Sequence, residues 1–192
     1  MAYIFLMDKS ELRKIKWIKG GFRALAQGGE GAIRVEAIAR DIGVTKGGFY
    51  WDFKDLNDFK TAMLDFYQTV GTEAIINNSE KFQTPKEALL FIVNEAIKEP
   101  DDELGGTKIK LAIREWASRD ENARIRIQFI DNLRIETLKS IFQATGMAQK
   151  DAARNAQILY SAYIGFTNLR LVNSSLDGAS LREFALSLIG EN

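Results

Sequence analysis

Apolar residues recur along this chain with a helical period from near its start. Across residues 10–27, Leu12, Ile15, Ile18, Phe22, Leu25 and Ala26 fall three and four apart, with Arg13, Lys16, Lys19 and Arg23 on the opposite side. The spacing predicts an amphipathic helix, stopped by Gly28-Gly29-Glu30-Gly31 because glycine readily takes the positive φ of a helix terminus. A short helix is predicted over 35–42, where Val35, Ile38, Ala39 and Ile42 are apolar, and Gly43 breaks it. Val44 then enters a tight corner, and Thr45 is a suitable N-cap for a second short helix reaching Trp51. A long helix follows from 56 to about 79. Loop signals near 84–85, 100–107, 118–121, 146 and 173–180 separate further helical patterns at about 86–98, 106–118, 122–145, 149–172 and 180–189. The expectation is an all-α protein of roughly nine helices.

Composition supports that reading and narrows the chemistry. Only two prolines interrupt the 192 residues, and long stretches are rich in Ala, Leu, Ile, Lys, Glu and Arg, which lose little rotamer freedom in a helix. Cysteine and histidine are both absent. Disulfides, thiolate nucleophiles, imidazole bases and the commonest zinc ligands go with them; a carboxylate-only metal or acid-base site, as in a small helical enzyme with paired carboxylates, remains the alternative, but no enzyme, metal site or cofactor is expected. The acidic run Asp101-Asp102-Glu103 reads as a solvated loop. No stretch approaches the roughly 20 apolar residues that span a bilayer. The opening run Ala2 to Met7 is too short for a signal segment and lacks a basic flank, so a cytoplasmic protein is expected.

Net charge is zero, yet its distribution is uneven. Residues 1–60 hold 11 basic and 8 acidic side chains, and residues 61–192 hold 15 and 18. The basic bias lies at the end that carries the most informative stretch, residues 34–53. Physically this is two short helices joined by a glycine corner, with a long helix behind. Ala39 is small where the two must approach closely, and Ile38, Ile42, Val44 and Phe49 supply the packing that helices this short require. Such anatomy is that of a helix-turn-helix, whose second helix enters the DNA major groove by its N-terminal end. Thr45 and Lys46 head that helix, Gly47 and Gly48 allow close backbone approach, and Tyr50 and Trp51 carry polar hydrogens able to meet phosphates.

The residues Ile38-Ala39, Ile42-Gly43-Val44-Thr45, Lys46-Gly47, Phe49-Tyr50 and Asp52-Phe53 resemble the DNA-binding motif of the TetR family of bacterial regulators. Trp51 and the following Asp-Phe-Lys-Asp are similar to a subgroup reading Phe-Tyr-Trp-His-Phe-Lys-Asp, and the resemblance covers about residues 10–68. Where the family usually carries a basic residue at the start of the fourth helix, this chain has Leu56, with Lys54 two residues earlier. A weaker similarity to effector domains of that subgroup lies in residues 113–120, around Trp116, with Asp131-Asn132-Leu133-Arg134 downstream.

The resemblance implies an N-terminal three-helix DNA-binding domain over residues 8–55 and a larger effector-binding and dimerisation domain over 56–192. The expected function is a homodimeric transcriptional regulator that represses at a palindromic operator and is released by a small apolar or amphipathic effector. A DNA-binding activator or architectural protein without an effector is the alternative. The DNA-binding set is Arg34, Val35, Thr45, Lys46, Gly47, Gly48, Tyr50, Trp51 and Lys54. Candidate effector contacts are Phe66, Trp116 and Tyr163. Candidate dimer contacts are Ala156, Leu159, Tyr160, Tyr163, Phe166, Leu181, Phe184 and Leu188.

Overall fold

The computed structural model describes residues 8–99, 101–173 and 175–189, so the opening apolar run lies outside the described residues. Among the described residues the chain is helical without strands. In order these are α1 (Lys9–Gly28), α2 (Val35–Asp41), α3 (Lys46–Phe49), α4 (Leu56–Gln68), α5 (Ala74–Ser79), α6 (Pro85–Ile97), α7 (Ile109–Ala117), α8 (Glu121–Ala144), α9 (Gln149–Arg170) and α10 (Ala179–Ser187). A π-helical turn, Thr69–Glu73, joins α4 to α5 without a break. Counted as one rod, these make nine helices among the described residues, as the periodicity predicts.

Two compact units result. One comprises the described residues up to Phe66 together with 101–124; the other comprises 67–99 and 125–189. Most of α4 and all of α7 fall in the first of these units.

Two adjacent glycines on α1 explain much of that unit. A Cβ on Gly20 would lie 2.8 Å from the Cγ2 atoms of both Ile38 and Ile42. One on Gly21 would lie 2.7 Å from Phe59 Cζ and Met63 Sδ. With no side chain at either point, α1 lies close to α2 on one side and to α4 on the other. Asp8 and Glu11 close a capping box at the start of α1, which satisfies amides that have no intrahelical partner. Around the crossing, Trp17, Phe22, Phe49, Phe53 and Phe59 are all buried. Phe49 is their hub, with ring centroids 5.2–5.4 Å from Trp17, Phe53 and Phe59. The acidic run after Pro100 is not simply solvated: Glu103 pairs with Lys19, and its carbonyl accepts from Arg23. Gly105 makes the turn there with φ 94°, close against Phe22 and Ala26.

The second unit has a mainly aliphatic core formed by Leu89 and Val93 of α6, Leu138 and Phe142 of α8, Ala152, Ala156 and Leu159 of α9, and Leu181 and Ala185 of α10. Thr84 and Glu87 form the capping box of α6, with Pro85 at its first turn.

Candidate nucleic-acid interface

The corner between α2 and α3 turns on Gly43, at φ 67°, a conformation that other residues adopt only under strain. The Val44 amide closes the corner on the Ala39 carbonyl at 2.9 Å. Phe49 then pins α3 into the aromatic cluster, so the orientation of this four-residue helix comes from its buried anchor. Immediately after it, Asp52 accepts two 2.6 Å bonds from the Arg13 guanidinium of α1. The Asp52 side chain is fully buried. That clamp fixes the segment following α3 and raises the Arg13 pKa.

What this scaffold presents outward is specific. Tyr50 is 58% exposed and Trp51 84%; the Tyr50 ring stands edge-on to Phe49 at 5.3 Å and leaves the rest of its surface in water. Thr45 occupies the N-cap position of α3, but its side chain makes no capping bond. The capping role expected for it is therefore corrected: the hydroxyl lies beside the first turn, near Gly47 and Gly48, without bonding to it. Gly47, Arg34 and Lys54 are exposed, and Gly48 is half-buried. Val35 is a second correction. Its side chain belongs to the core, because it packs inward from the first turn of α2, and only its main chain is left for a phosphate.

Lys46 is exposed but paired, its Nζ 2.5 Å from Glu36 Oε1 on α2. The bond to Lys46 holds the Glu36 carboxyl below its ordinary range, and Glu36 raises the lysine in turn. Other cations of this unit are also engaged: Arg23 with Asp41 and Lys60 with Glu30. The start of α4 is acidic, with Asp58 accepting from the Lys54 amide and Asp55 from the Asp58 amide, each at 2.9 Å.

The other sequence-derived sites fare unevenly. Phe66 is half-buried with its ring 6.0 Å from Phe22. Trp116 is 2% exposed, and its indole N–H has no hydrogen-bond partner among the described residues. Tyr163 is half-buried, 5.9 Å from the Tyr160 ring. Of the dimer set, Ala156, Leu159, Tyr160 and Leu181 are buried against the chain's own core and present almost no surface to a second copy. Tyr163, Phe166, Phe184 and Leu188 are partly buried against that core. The exposed side of α9 is a different stripe, including Ile158, Ser161, Gly165, Leu169 and, just beyond the helix, Val172. Periodicity finds both faces of such a helix but cannot say which one the chain covers itself. Sequence reasoning also missed the Arg13–Asp52 clamp, the Glu36–Lys46 pair and the Gly20-Gly21 crossing, each of which joins residues made neighbours only by folding.

Among the described residues no cluster of acidic side chains could hold a metal ion, and no helix is long and apolar enough to cross a membrane. No protein-family model matches the sequence, and no curated protein does. Solved structures do. A TetR transcriptional regulator from Legionella pneumophila superposes with a TM-score of 0.80 at 14% identity, covering 97% of this chain and all of that one, 100%. A transcriptional regulator FadR from Bacillus subtilis, in complex with stearoyl-CoA, gives 0.69 at 18% identity over 91% of this chain and 96% of its own. A protein from Saccharomonospora viridis in complex with choline gives 0.76 at 14% over 93% and 96%. The fold is thus that of TetR-type transcriptional regulators.

Proposed function

We propose that this chain is a TetR-family transcriptional regulator, a homodimer that reads a palindromic DNA operator and is released from it by a small molecule. The observation that carries the reading is the outward cluster of Thr45, Lys46, Gly47, Tyr50 and Trp51 on a corner whose interior is packed around Phe49. An exposed indole and phenol at the end of this short helix leave much aromatic surface in water; against a phosphate backbone they donate hydrogen bonds and pack. Arg34 and Lys54 flank them as phosphate contacts. In this reading residues 8–55 contact DNA, and 56–192 take up the effector and pair the copies.

Support for an effector comes from the buried Trp116 indole N–H, a donor that a bound molecule's oxygen would satisfy, since buried donors are rarely left unpaired. The choline and stearoyl-CoA held by two proteins of the same fold support it further. The second copy docks on the exposed stripe of Ile158, Ser161, Gly165 and Leu169, where small residues allow close helix approach. Two recognition helices one DNA turn apart then bind far more tightly than one. The protein acts in the cytoplasm and performs no catalysis.

Fluorescence anisotropy with DNA from upstream of the gene tests the core of this. Binding weakens steeply with added salt, because phosphate contacts release counterions. The Lys46→Ala, Tyr50→Ala double variant loses about tenfold or more in affinity, with its melting temperature unchanged. Undiminished affinity in that variant would remove α3 from the interface.

A further inference from the structure

The sequence motif Asp131-Asn132-Leu133-Arg134 on α8 takes no part in the DNA interface, yet its arginine is the centre of a polar cluster in the second unit. Arg134 Nε and one terminal nitrogen donate to Thr72 Oγ1 at 3.1 and 2.7 Å, and the same terminal nitrogen reaches the Gly71 carbonyl at 3.0 Å. The other terminal nitrogen meets only the Tyr160 hydroxyl, at 3.5 Å. The guanidinium lies 5.6 Å from the centre of the Tyr67 ring. Tyr160 gives its own proton to Asp131 Oδ1 at 2.7 Å, so the phenol stands between that carboxylate and the guanidinium.

A guanidinium is always charged and carries five N–H donors. Here its hydrogen-bond partners among the described residues are neutral oxygens, and one edge has a single long contact. A carboxylate on that edge would form charge-assisted bonds about twice as strong as neutral ones. Tyr67, Tyr160 and Tyr163 wall the cluster with aromatic surface suited to the organic part of such an acid. Arg134, Tyr67 and Tyr163 are half-buried as residues, but the guanidinium itself is deeply buried. An aromatic box could also attract an organic cation, but Arg134 already covers the Tyr67 face and would repel one. The two acceptors with short bonds, Gly71 and Thr72, lie in the π turn between α4 and α5, and π turns in long helices frequently mark functional sites. An anion drawing on the guanidinium competes with the bonds that hold this turn.

We propose that Arg134 anchors an anionic effector, a small organic carboxylate seated on its weakly bonded edge among Tyr67, Tyr160 and Tyr163. The inference rests on the reading of the chain as a ligand-responsive regulator and names the ligand's chemical class. Calorimetric titration of the full chain with octanoate and phenylacetate, against octanamide and phenylacetamide, tests it. Each carboxylate is expected to bind about tenfold more tightly than its amide. Arg134→Met brings the carboxylates down to the amide level, and Thr72→Val, which removes a competing acceptor, tightens them. Equal binding of acid and amide, undiminished carboxylate binding by Arg134→Met, or no binding of either acid overturns the proposal. If Arg134→Met does not fold, the amide comparison and Thr72→Val decide alone. Anisotropy of the DNA complex is recorded separately: a wild-type chain that binds carboxylates but no DNA sinks the regulator reading and leaves the anion site standing.

Discussion

In the N-terminal unit, charged side chains reach between elements to meet opposite charges: Arg13 with Asp52, Lys19 with Glu103, Arg23 with Asp41, Lys46 with Glu36 and Lys60 with Glu30. In the second unit Arg170 meets Glu99, but Arg134 and Arg182 reach across to Thr72 and Asn94, which are neutral, and Arg126 reaches Gln68. The cores differ too, one built on stacked aromatic rings and the other on aliphatic side chains with small alanines between helices. Exposed ion pairs add little stability each, so the first unit owes its rigidity to the rings and to the close crossings at Gly20 and Gly21. Its ion pairs set register, above all at Asp52, whose carboxylate is buried. The second unit has polar links that a better acceptor could replace. A part that must hold a short helix in one orientation is locked by shape, whereas a part that must respond retains exchangeable hydrogen bonds.

The most damaging way to break this contrast is to fill the crossing. Gly20→Val places methyl groups where Ile38 and Ile42 already sit and should cost about 3 kcal/mol, lowering the melting temperature by roughly 10 °C. Calorimetry measures this, and Gly31→Val, where nothing lies within 4 Å, is the control. A loss equal to the control's would show that the crossing is not tight.

Next in size is Leu169→Glu, which puts a charge on a side chain 59% exposed in the single chain. It should leave folding intact, shift sedimentation toward the monomer and weaken operator binding about a hundredfold, because the second half-site is lost. An unchanged dimer would move the interface off this stripe.

The smallest effect sharpens the electrostatic side of the comparison. Glu36→Gln frees Lys46 for phosphate and should tighten DNA binding roughly two- to fivefold at low salt, with a steeper salt dependence. Because the Glu36 carboxyl is held below its ordinary range, it keeps its charge as pH falls, and its link to Lys46 is lost only below that range. The ratio between variant and wild type should therefore stay constant from pH 8 to about pH 5. A ratio that collapses near pH 6 would show that another group restrains Lys46.

The sequence by itself determined the helices, to within a residue or two at most ends, and the helix-turn-helix with its exposed Tyr50 and Trp51. These are local properties: apolar spacing, glycine stops and turn chemistry all act within a few residues, and a periodic pattern reports them directly. Only the tertiary structure decided which face of α9 is covered. Ala156, Leu159 and Tyr160 turn inward, while Ile158 and Leu169 remain outside, because α6, α8 and α10 take up one side of the helix. It likewise decided that Val35 is core, that Thr45 does not cap α3, and that Lys46 is shared with Glu36. The Arg134 cluster is the clearest instance. Its members lie at positions 67, 71–72, 131–134 and 160–163, and no rule of spacing joins segments so far apart until packing brings them into contact.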